Sequence, residues 1–440
     1  MSFTTTASKL DAFWMPFTSN RRFKADPTLF SGAQGMYYHR ADGSRVLDGV
    51  AGLWCVNAGH GRPEIVDAIQ RSAAQLDYAP SFQLGHATAF EFADELVAEA
   101  PAGFGHAFFS NSGSEAVDTA LKIALAYHRA RGDAQRVRLI GRERAYHGVG
   151  FGGLSVSGIA SQRKAFGNLL PSIDHLPHTY DRAQMAFSRG QPNWGEHLAD
   201  DLTRLVALHD ASTIAAVIVE PVSGSTGVLV PPPGYLKRLR EICDAHGILL
   251  IFDEVITGFG RIGAPFAASR FDVTPDLITC AKGLTNGAVP MGATLTTRAV
   301  YDALMAGPED AIELPHGYTY SAHPLACAAG LAALRVYRRE GLLVRARELE
   351  QTWEDAAHAL RSLPGILDIR NIGLLAAIDL AASGEGPGRR GYAVHRDCLA
   401  HDVLVRASGD TILLSPPLVI SRDEIERLFS TLADSIRRIG

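Results

Sequence analysis

The sequence predicts an α/β protein with a large domain, built on a central and mostly parallel sheet, and a smaller α+β domain. Between about residues 105 and 300, short apolar segments alternate with amphipathic helical patterns, as expected for parallel strands covered on both faces. The two ends of the chain are mixed in character, and 440 residues suffice for two or three domains. We therefore assign residues 1–75 and 326–440 to the smaller domain and residues 76–325 to the large one.

Local patterns predict the individual elements. Residues 36–54 read as short strands that turn at Asp42 and Gly43. Residues 114–131 predict a helix, because alanines recur there at helical spacing. The Gly- and Pro-rich residues 382–391 predict a surface loop. Apolar runs predict strands at 107–110, 137–140, 214–219, 247–252 and 276–280.

Composition argues against several classes of partner. Lys and Arg number 42 against 47 Asp and Glu, so there is no basic excess for a nucleic acid. The five cysteines are scattered and never spaced C-x-x-C, which favours a reducing compartment over disulfides or a thiolate zinc site. No apolar run approaches the ~18 residues of a membrane span, and no secretory signal is visible. We expect a soluble cytoplasmic protein without a membrane partner.

Three of the predicted strands run into an ionisable residue. These residues are Glu220, Asp253 and Lys282. In open α/β sheets the ligand crevice lies beyond the carboxyl ends of the strands, so we expect the three side chains to meet in one pocket. The alternative is that each is a solvated strand end or a member of a salt bridge.

Lys282 and Asp253 together suit one cofactor. A lysine in a partly desolvated crevice has a lowered pKa and can form a Schiff base with an aldehyde. A carboxylate at Asp253 would hold a protonated pyridine nitrogen, so that the ring withdraws electrons, which is the pairing expected for pyridoxal 5'-phosphate (PLP). The two residues are 29 positions apart, enough for one helical crossover between parallel strands.

The segment NSGSE (111–115) predicts a phosphate cradle. Ser112 and Glu115 have capping-box spacing, while Gly113 and Ser114 let backbone N–H groups approach an anion at the start of the helix. A capped helix that binds nothing is the alternative.

Three other features are candidates for binding a cofactor or a metal. GVGFGG (148–153) has the letters of a dinucleotide fingerprint, but the residues after it lack the helical period that a fingerprint requires. Tyr146, just before it, has a ring that could stack on a planar cofactor or pack in the core. His175 and His178 have no matching carboxylate or cysteine, so we expect a surface loop there and no metal site.

Taken in order, four segments carry a family resemblance: NSGSE, YHG (146–148), FDEVITGFGR (252–261) and AKG (281–283). With them the chain resembles the class III PLP-dependent aminotransferases, the ω-aminotransferase family of fold type I (aspartate-aminotransferase-like), over essentially its whole length. Within that family it is most similar to the β-alanine–pyruvate aminotransferases, on the segments 15–23, 51–60, 124–132 and 142–153.

The resemblance implies roles around the cofactor. Lys282 would form the Schiff base and move the proton, and Asp253 would pair with the ring nitrogen with support from Glu220. Tyr146 and Val255 would cover the two faces of the ring. The remaining cofactor-binding positions implied by the family are Ser112, Gly113 and Ser114 at the phosphate, and His147.

Other implied roles concern the substrate and a second subunit. Trp54 and Tyr146 would wall the substrate pocket, and the fork of Arg406 would grip a substrate carboxylate. Thr319 would complete the phosphate site of a partner subunit, which implies a homodimer with shared sites or a tetramer. Ala322 departs from the family, because many relatives carry glycine there, and its methyl group is expected to tighten the turn beside Thr319.

The implied reaction moves an amino group from an ω-amino acid, most of all β-alanine, to pyruvate with ping-pong kinetics, giving alanine and a semialdehyde or ketone. The donor stays open, since 4-aminobutyrate, diamines and arylalkylamines also carry a terminal amine. Rival readings are a PLP aminomutase or decarboxylase, an NAD-dependent oxidoreductase and a non-catalytic dimeric scaffold. Stereopreference and the choice of dimer or tetramer are not readable from the sequence.

Overall fold

The computed structural model describes residues 10–384 and 386–440. Within those ranges no helix is both long enough and apolar enough to cross a membrane. Their helices are α1 Asn20–Ala25, α2 Ala51–Trp54, α3 Pro63–Gln75, α4 Ala87–Val97, α5 Gly113–Ala130, α6 Phe151–Val156, α7 Ala160–Phe166, α8 Arg182–Met185, α9 Asp201–His209, α10 Tyr235–His246, α11 Ala267–Phe271, α12 Arg298–Leu304, α13 Pro324–Arg339, α14 Leu342–His358, α15 Arg389–Ala400 and α16 Arg422–Ile439. Their strands are β1 Gly32–Gln34, β2 Tyr37–His39, β3 Arg45–Asp48, β4 Phe104–Ser110, β5 Arg138–Arg142, β6 Ile173–Leu176, β7 Ile214–Val219, β8 Leu249–Asp253, β9 Leu277–Ala281, β10 Gly292–Thr297, β11 Ile366–Ile372, β12 Leu375–Leu380, β13 Val403–Leu404, β14 Arg406–Ser408 and β15 Thr411–Leu414.

A seven-stranded sheet forms the centre of the molecule, in the order β4-β10-β9-β8-β7-β5-β6. The strands from β9 to β6 pair in parallel, and β10 runs antiparallel to both β4 and β9. Every residue of β7, β8 and β9 is buried, because helices cover both faces. The five strands predicted from apolar runs are found as β4, β5, β7, β8 and β9, so the prediction of a mostly parallel sheet is confirmed.

Helix α5 begins where the sequence predicts. The hydroxyl of its N-cap Ser112 accepts a hydrogen bond from the Glu115 amide at 3.2 Å, and the Glu115 carboxylate accepts from the Asn111 amide at 2.7 Å. The helix buries its alanine-rich face against the central sheet. Its first turn is thereby fixed at the edge of the sheet where the strands end.

Two smaller sheets complete the fold. In one, of order β1-β2-β3-β13, Leu47 of β3 pairs in parallel with Val403 of β13, so residues from both ends of the chain share one sheet. The other, of order β11-β12-β15-β14, is antiparallel and belongs to the C-terminal part of the chain. The domain boundaries given above remain a prediction.

The structure corrects three local predictions. Helix α6 begins inside the glycine segment 148–153, at Phe151, where no helix was expected, because six residues are too few to show a period. His175 lies in strand β6, not in a surface loop, and its Nε2 is 3.0 Å from the Ser157 carbonyl oxygen. The predicted loop 382–391 ends early, since α15 begins at Arg389.

Ala322 lies in the turn that leads into α13 and adopts a left-handed conformation, with φ of 54°. Its carbonyl oxygen is 2.8 Å from His86 Nε2, and the carbonyl of Ser321 accepts a hydrogen bond from the Ser81 hydroxyl. These contacts hold the backbone in a region that favours glycine. The residue is therefore strained by its dihedral angle.

We predict that Ala322→Gly stabilises the protein by up to about 1 kcal/mol, because relief of the left-handed strain exceeds the added entropy of glycine in the unfolded chain. The denaturant midpoint of the holoprotein measures the change. Ala332→Gly inside α13 is the matched control and is expected to destabilise by about 1 kcal/mol. Equal losses in the two variants would contradict the left-handed assignment.

Candidate active site

Three strand ends converge as the sequence predicts. Strands β7, β8 and β9 are neighbours, so Glu220, Asp253 and Lys282 emerge side by side at their carboxyl ends. All three line one cavity of about 340 Å³. Its other lining residues are Cys55, Asn111, Ser112, Gly113, Ser114, Tyr146, His147, Gly148, Val255, Ile256, Ala281, Thr285, Gly287, Val289, Pro290 and Met291.

Lys282 carries the amine of the cavity. It starts a short 3₁₀ turn directly after β9 and has a φ of 52°, a conformation that side chains rarely adopt outside functional sites and tight turns. Burial lowers the pKa of its ammonium group, while the nearby Asp253 and Glu220 carboxylates oppose that shift. In the described residues no carboxylate forms an ion pair with Nζ. The amine therefore loses its proton more readily than an exposed lysine, which suits a nucleophile.

Asp253 is fixed by three donors. Its Oδ2 lies 2.8 Å from Nδ1 of His147, and its Oδ1 accepts from the Thr279 hydroxyl at 3.2 Å and the Val255 amide at 3.1 Å. Because an ionised carboxylate can only accept, Nδ1 of His147 carries the proton. His147 is buried, and its Nε2 has no hydrogen-bond partner in the described part of the chain. The histidine thus orients the carboxylate from behind.

Glu220 directly follows β7, the strand next to that of Asp253, and makes no hydrogen bond to Asp253. Its carboxylate accepts from the backbone amides of Tyr146 at 2.9 Å and Gly224 at 3.2 Å. Burial raises the pKa of this carboxyl group, and the Asp253 charge acts in the same direction. Glu220 therefore holds the loop that carries the Tyr146 ring, while His147 of the same loop contacts Asp253 directly.

The first turn of α5 forms the opposite end of the cavity. The Ser112 and Ser114 hydroxyls accept from the amides of Glu115 and Val149, so each keeps its own O–H to donate to an anion, beside the backbone N–H groups and the positive end of the helix. A Cβ on Gly113 would lie 3.0 Å from both methyl groups of Val255. The glycine lets the cradle approach Val255, one of the two residues expected to cover a ring.

These residues fit PLP. They combine an amine of lowered pKa, a fixed carboxylate for a ring nitrogen and an anion cradle at a helix N-terminus, with Tyr146 and Val255 between them. On this sheet, the combination defines a PLP-dependent enzyme of fold type I.

The chain belongs to the class III aminotransferases, whose family model matches residues 19–436. It is 60% identical to an omega-aminotransferase of Caulobacter vibrioides over 97% of each chain. It is 48% identical to a beta-alanine–pyruvate aminotransferase of Pseudomonas aeruginosa, covering 98% of this chain and 96% of the relative.

Solved structures agree with this assignment. An amine transaminase from an uncultivated Pseudomonas species in its PLP-bound form has a TM-score of 0.89 at 37% identity, with 97% of this chain and 99% of that chain covered. An (S)-enantioselective omega-transaminase from Thermomicrobium roseum has a TM-score of 0.92 at 32% identity, with 98% of each chain covered. The protein is thus a PLP-dependent aminotransferase, and the readings as aminomutase, decarboxylase, oxidoreductase or scaffold are set aside.

Most of the predicted site residues line the cavity, but three do not. Arg406 lines an adjoining cavity of about 520 Å³, and its guanidinium carbon lies 5.2 Å from the centre of the Trp54 ring. Trp54 is buried beside it. Thr319 lies in the turn before α13, where its carbonyl oxygen accepts from the Tyr78 hydroxyl at 2.9 Å.

Sequence reasoning missed several lining residues. Asn111 is the first residue of the phosphate motif, Cys55 follows Trp54, and residues 285–291 follow Lys282, so a position within or next to a recognised motif was the available signal. The contact between Thr279 and Asp253 reflects the parallel pairing of β8 with β9, which places the two residues opposite each other.

We predict that Lys282 is the most reactive lysine of the protein prepared without cofactor. Because its pKa is lowered, its labelling by an amine-acylating reagent should rise at a lower pH than that of the exposed Lys122 and Lys237. Peptide mass spectrometry across a pH series measures each site. A pH midpoint for Lys282 equal to that of the exposed lysines would contradict the desolvated amine.

Proposed function

We propose that this aminotransferase transfers an amino group from an ω-amino acid, with β-alanine as the preferred donor, to pyruvate. The observation that carries the proposal is the side chain of Arg406, which lies near the lysine cavity and has no carboxylate partner among the described residues. A donor with a carboxylate would supply that partner while it presents its distant amine to the cofactor.

Arg406 is half-buried, and its Nε is buried without a hydrogen-bond partner. No ion pair involves it within residues 10–384 and 386–440. Burial lowers the pKa of its guanidinium group, and its charge in turn lowers the pKa of Lys282. Because a partly desolvated cation without a counter-ion is costly, a ligand carboxylate in a bidentate arrangement would stabilise this site.

Names of similar proteins support the same donor class. Besides the two relatives above, the chain is 47% identical to an omega-amino acid–pyruvate aminotransferase of Pseudomonas putida over 98% of this chain. A putrescine–pyruvate aminotransferase of Pseudomonas aeruginosa is less similar, at 34% identity over 94% of this chain. Carboxylated donors are therefore favoured over diamines.

The roles of the residues follow from their positions. When bound, PLP supplies an aldehyde that takes up the amino group and a ring that withdraws electrons from the substrate. Lys282 Nζ would hold that aldehyde and, when free, would be the base that takes a proton from the substrate carbon and the acid that delivers it to the carbon of the former aldehyde. Asp253, oriented by His147, would keep the ring nitrogen protonated, and Tyr146 and Val255 would cover the ring. Because the amino group is stored between two half-reactions, we expect ping-pong kinetics.

We also propose a homodimer with shared active sites. Large apolar side chains are exposed around Thr319: Phe82 at 57%, Leu84 at 67% and Tyr320 at 57%. A contiguous apolar surface of this kind is typical of an interface between subunits. Its position supports the assignment of Thr319 to the cofactor phosphate of the partner subunit.

We predict that Asp253→Asn lowers kcat about 1,000-fold, or about 4 kcal/mol, because an amide cannot keep the ring nitrogen protonated. Stopped-flow measurement of the donor half-reaction tests the effect. Asp276→Asn at the amino end of β9, which removes a carboxylate that accepts from the Leu250 amide at 2.7 Å, is the matched control. An unchanged kcat in Asp253→Asn would refute the pairing.

The function is tested by a donor screen against pyruvate, with alanine formation as the measurement. We expect β-alanine to have the highest kcat/KM. Arg406→Ala should lower kcat/KM for β-alanine at least about 10-fold and leave kcat/KM for 1-phenylethylamine nearly unchanged, because only the former donor has a carboxylate and kcat/KM of a donor does not depend on the pyruvate half-reaction.

Two variants serve as controls for that screen. Lys282→Ala should abolish alanine formation with every donor, and Arg437→Ala, which removes a surface arginine paired with Asp434, should change nothing. Equal losses on both donors in Arg406→Ala would show that the arginine does not read the carboxylate.

A further inference from the structure

The short segment Ala51–Trp54 is a strained turn. It forms helix-type hydrogen bonds, but Gly52 and Leu53 have non-helical dihedral angles. Ala51 and Trp54 both have positive φ, of 47° and 59°. Two non-glycine residues in this region within four positions indicate that surrounding contacts hold the turn in place.

Asp48 provides those contacts at the start of the turn. Its side chain is completely buried, Oδ1 accepts from the Val50 amide at 3.0 Å, and Oδ2 accepts from the Gly52 amide at 2.7 Å. Oδ2 also lies 2.8 Å from Nε2 of His60. One buried carboxylate thus ties two amides of the turn to a histidine, and each of its donors replaces a water molecule that burial removed.

The rings of Phe30, Tyr38 and His60 pack against one another in a row next to the turn. The rings of His60 and Tyr38 have centroids 4.4 Å apart, as do those of Tyr38 and Phe30. A Cβ on Gly52 would lie 3.0 Å from the Tyr38 hydroxyl oxygen. The turn therefore sits directly on this stack, and only glycine combines its dihedral angles with such a close approach.

The other end of the turn is anchored to the active-site lysine loop. The Asn57 amide group donates to the Phe259 carbonyl at 2.8 Å, and the Ala58 amide donates to the Asn286 side chain at 2.8 Å. Asn286 lies four positions after Lys282 and also donates to the Gly59 carbonyl at 2.9 Å. Since both ends are fixed, the strain cannot relax without breaking one anchor.

The turn runs beside both cavities of the site. Val50 and Gly52 line the cavity that contains Arg406, and Cys55 lines the cavity that contains Lys282. Trp54, at the end of the turn, carries the ring over which Arg406 lies. A shift of the turn would therefore move the surface that places the guanidinium group relative to the amine.

We propose that Asp48, held by His60, is a positioning residue for donor specificity: it fixes the strained turn and, through Trp54, the distance between Arg406 and Lys282. This proposal rests on the proposed function, in which Arg406 binds the donor carboxylate. Amines without a carboxylate do not depend on that distance, so Asp48 acts on one class of donor only.

The test compares two donors in Asp48→Asn, which keeps the shape of the side chain but loses one acceptor and the charge. For β-alanine we expect kcat/KM to fall at least about 10-fold, mainly through KM, and for 1-phenylethylamine to change less than about 3-fold. His60→Gln should shift the ratio of the two donors in the same direction by a smaller factor. Asp42→Asn, which removes a similar cap on the Ser44 amide at 2.9 Å in the hairpin between β2 and β3, is the matched control and should not shift it.

Equal losses on both donors would show a merely structural role and overturn the proposal, as would an unchanged ratio. If Asp48→Asn does not yield folded, PLP-bound protein, the test rests on His60→Gln, in which the same ratio of kcat/KM for the two donors is measured. The proposed function is judged separately on the wild-type enzyme. If the wild type prefers another carboxylated donor to β-alanine, the ratio is measured with that donor, and a wild type that accepts none overturns both proposals.

Discussion

Two carboxylates and an amine lie together at the edge of the central sheet, out of bulk water, and the architecture of the site follows from this arrangement. The parallel order of β7, β8 and β9 places Glu220, Asp253 and Lys282 side by side. Where water is excluded, every buried carboxylate needs protein donors. Glu220 obtains them from backbone amides and Asp253 from His147, Thr279 and the Val255 amide. Among the described residues the amine has no ion-pair partner, and burial lowers its pKa.

The loop that contains Tyr146 and His147 supplies a donor to each of the two carboxylates. Its glycines give it the letters of a dinucleotide fingerprint. The Tyr146 amide binds Glu220, and the His147 ring binds Asp253. The same loop packs on α5, where a Cβ on Gly148 would lie 2.5 Å from Ser114 Oγ and one on Gly152 would lie 2.5 Å from Asp118 Oδ1. The glycines of GVGFGG therefore serve close packing between the Tyr146 loop and helix α5.

Features set by local pattern and chain topology could be predicted from the sequence. Apolar runs located the strands, capping residues located α5, and the rule that ligands bind at strand ends brought Lys282 and Asp253 together. The partner of Asp253 could not be predicted, since His147 lies 106 positions away and no local pattern marks it. The same holds for the strained turn at Ala51–Trp54, which depends on the Asp48 carboxylate and a stack of aromatic rings. Arg406 and Trp54 came from family resemblance alone.

A comparison of buried arginines shows why Arg406 is the one suited to a ligand. Arg370 is neutralised by Asp368 and Asp379. Arg142 and Arg261 are more deeply buried than Arg406, but each donates to a neutral oxygen: Arg142 to the Glu220 carbonyl at 2.6 Å, and Arg261 to Asn57 Oδ1 at 2.5 Å. Each of these side chains joins separate parts of the fold. The guanidinium group of Arg406 has no oxygen partner among the described residues and borders a cavity, with an aromatic ring on one side. Because a guanidinium group carries five donors in a fixed fork, this arrangement leaves a carboxylate as the ligand that matches both its charge and its geometry.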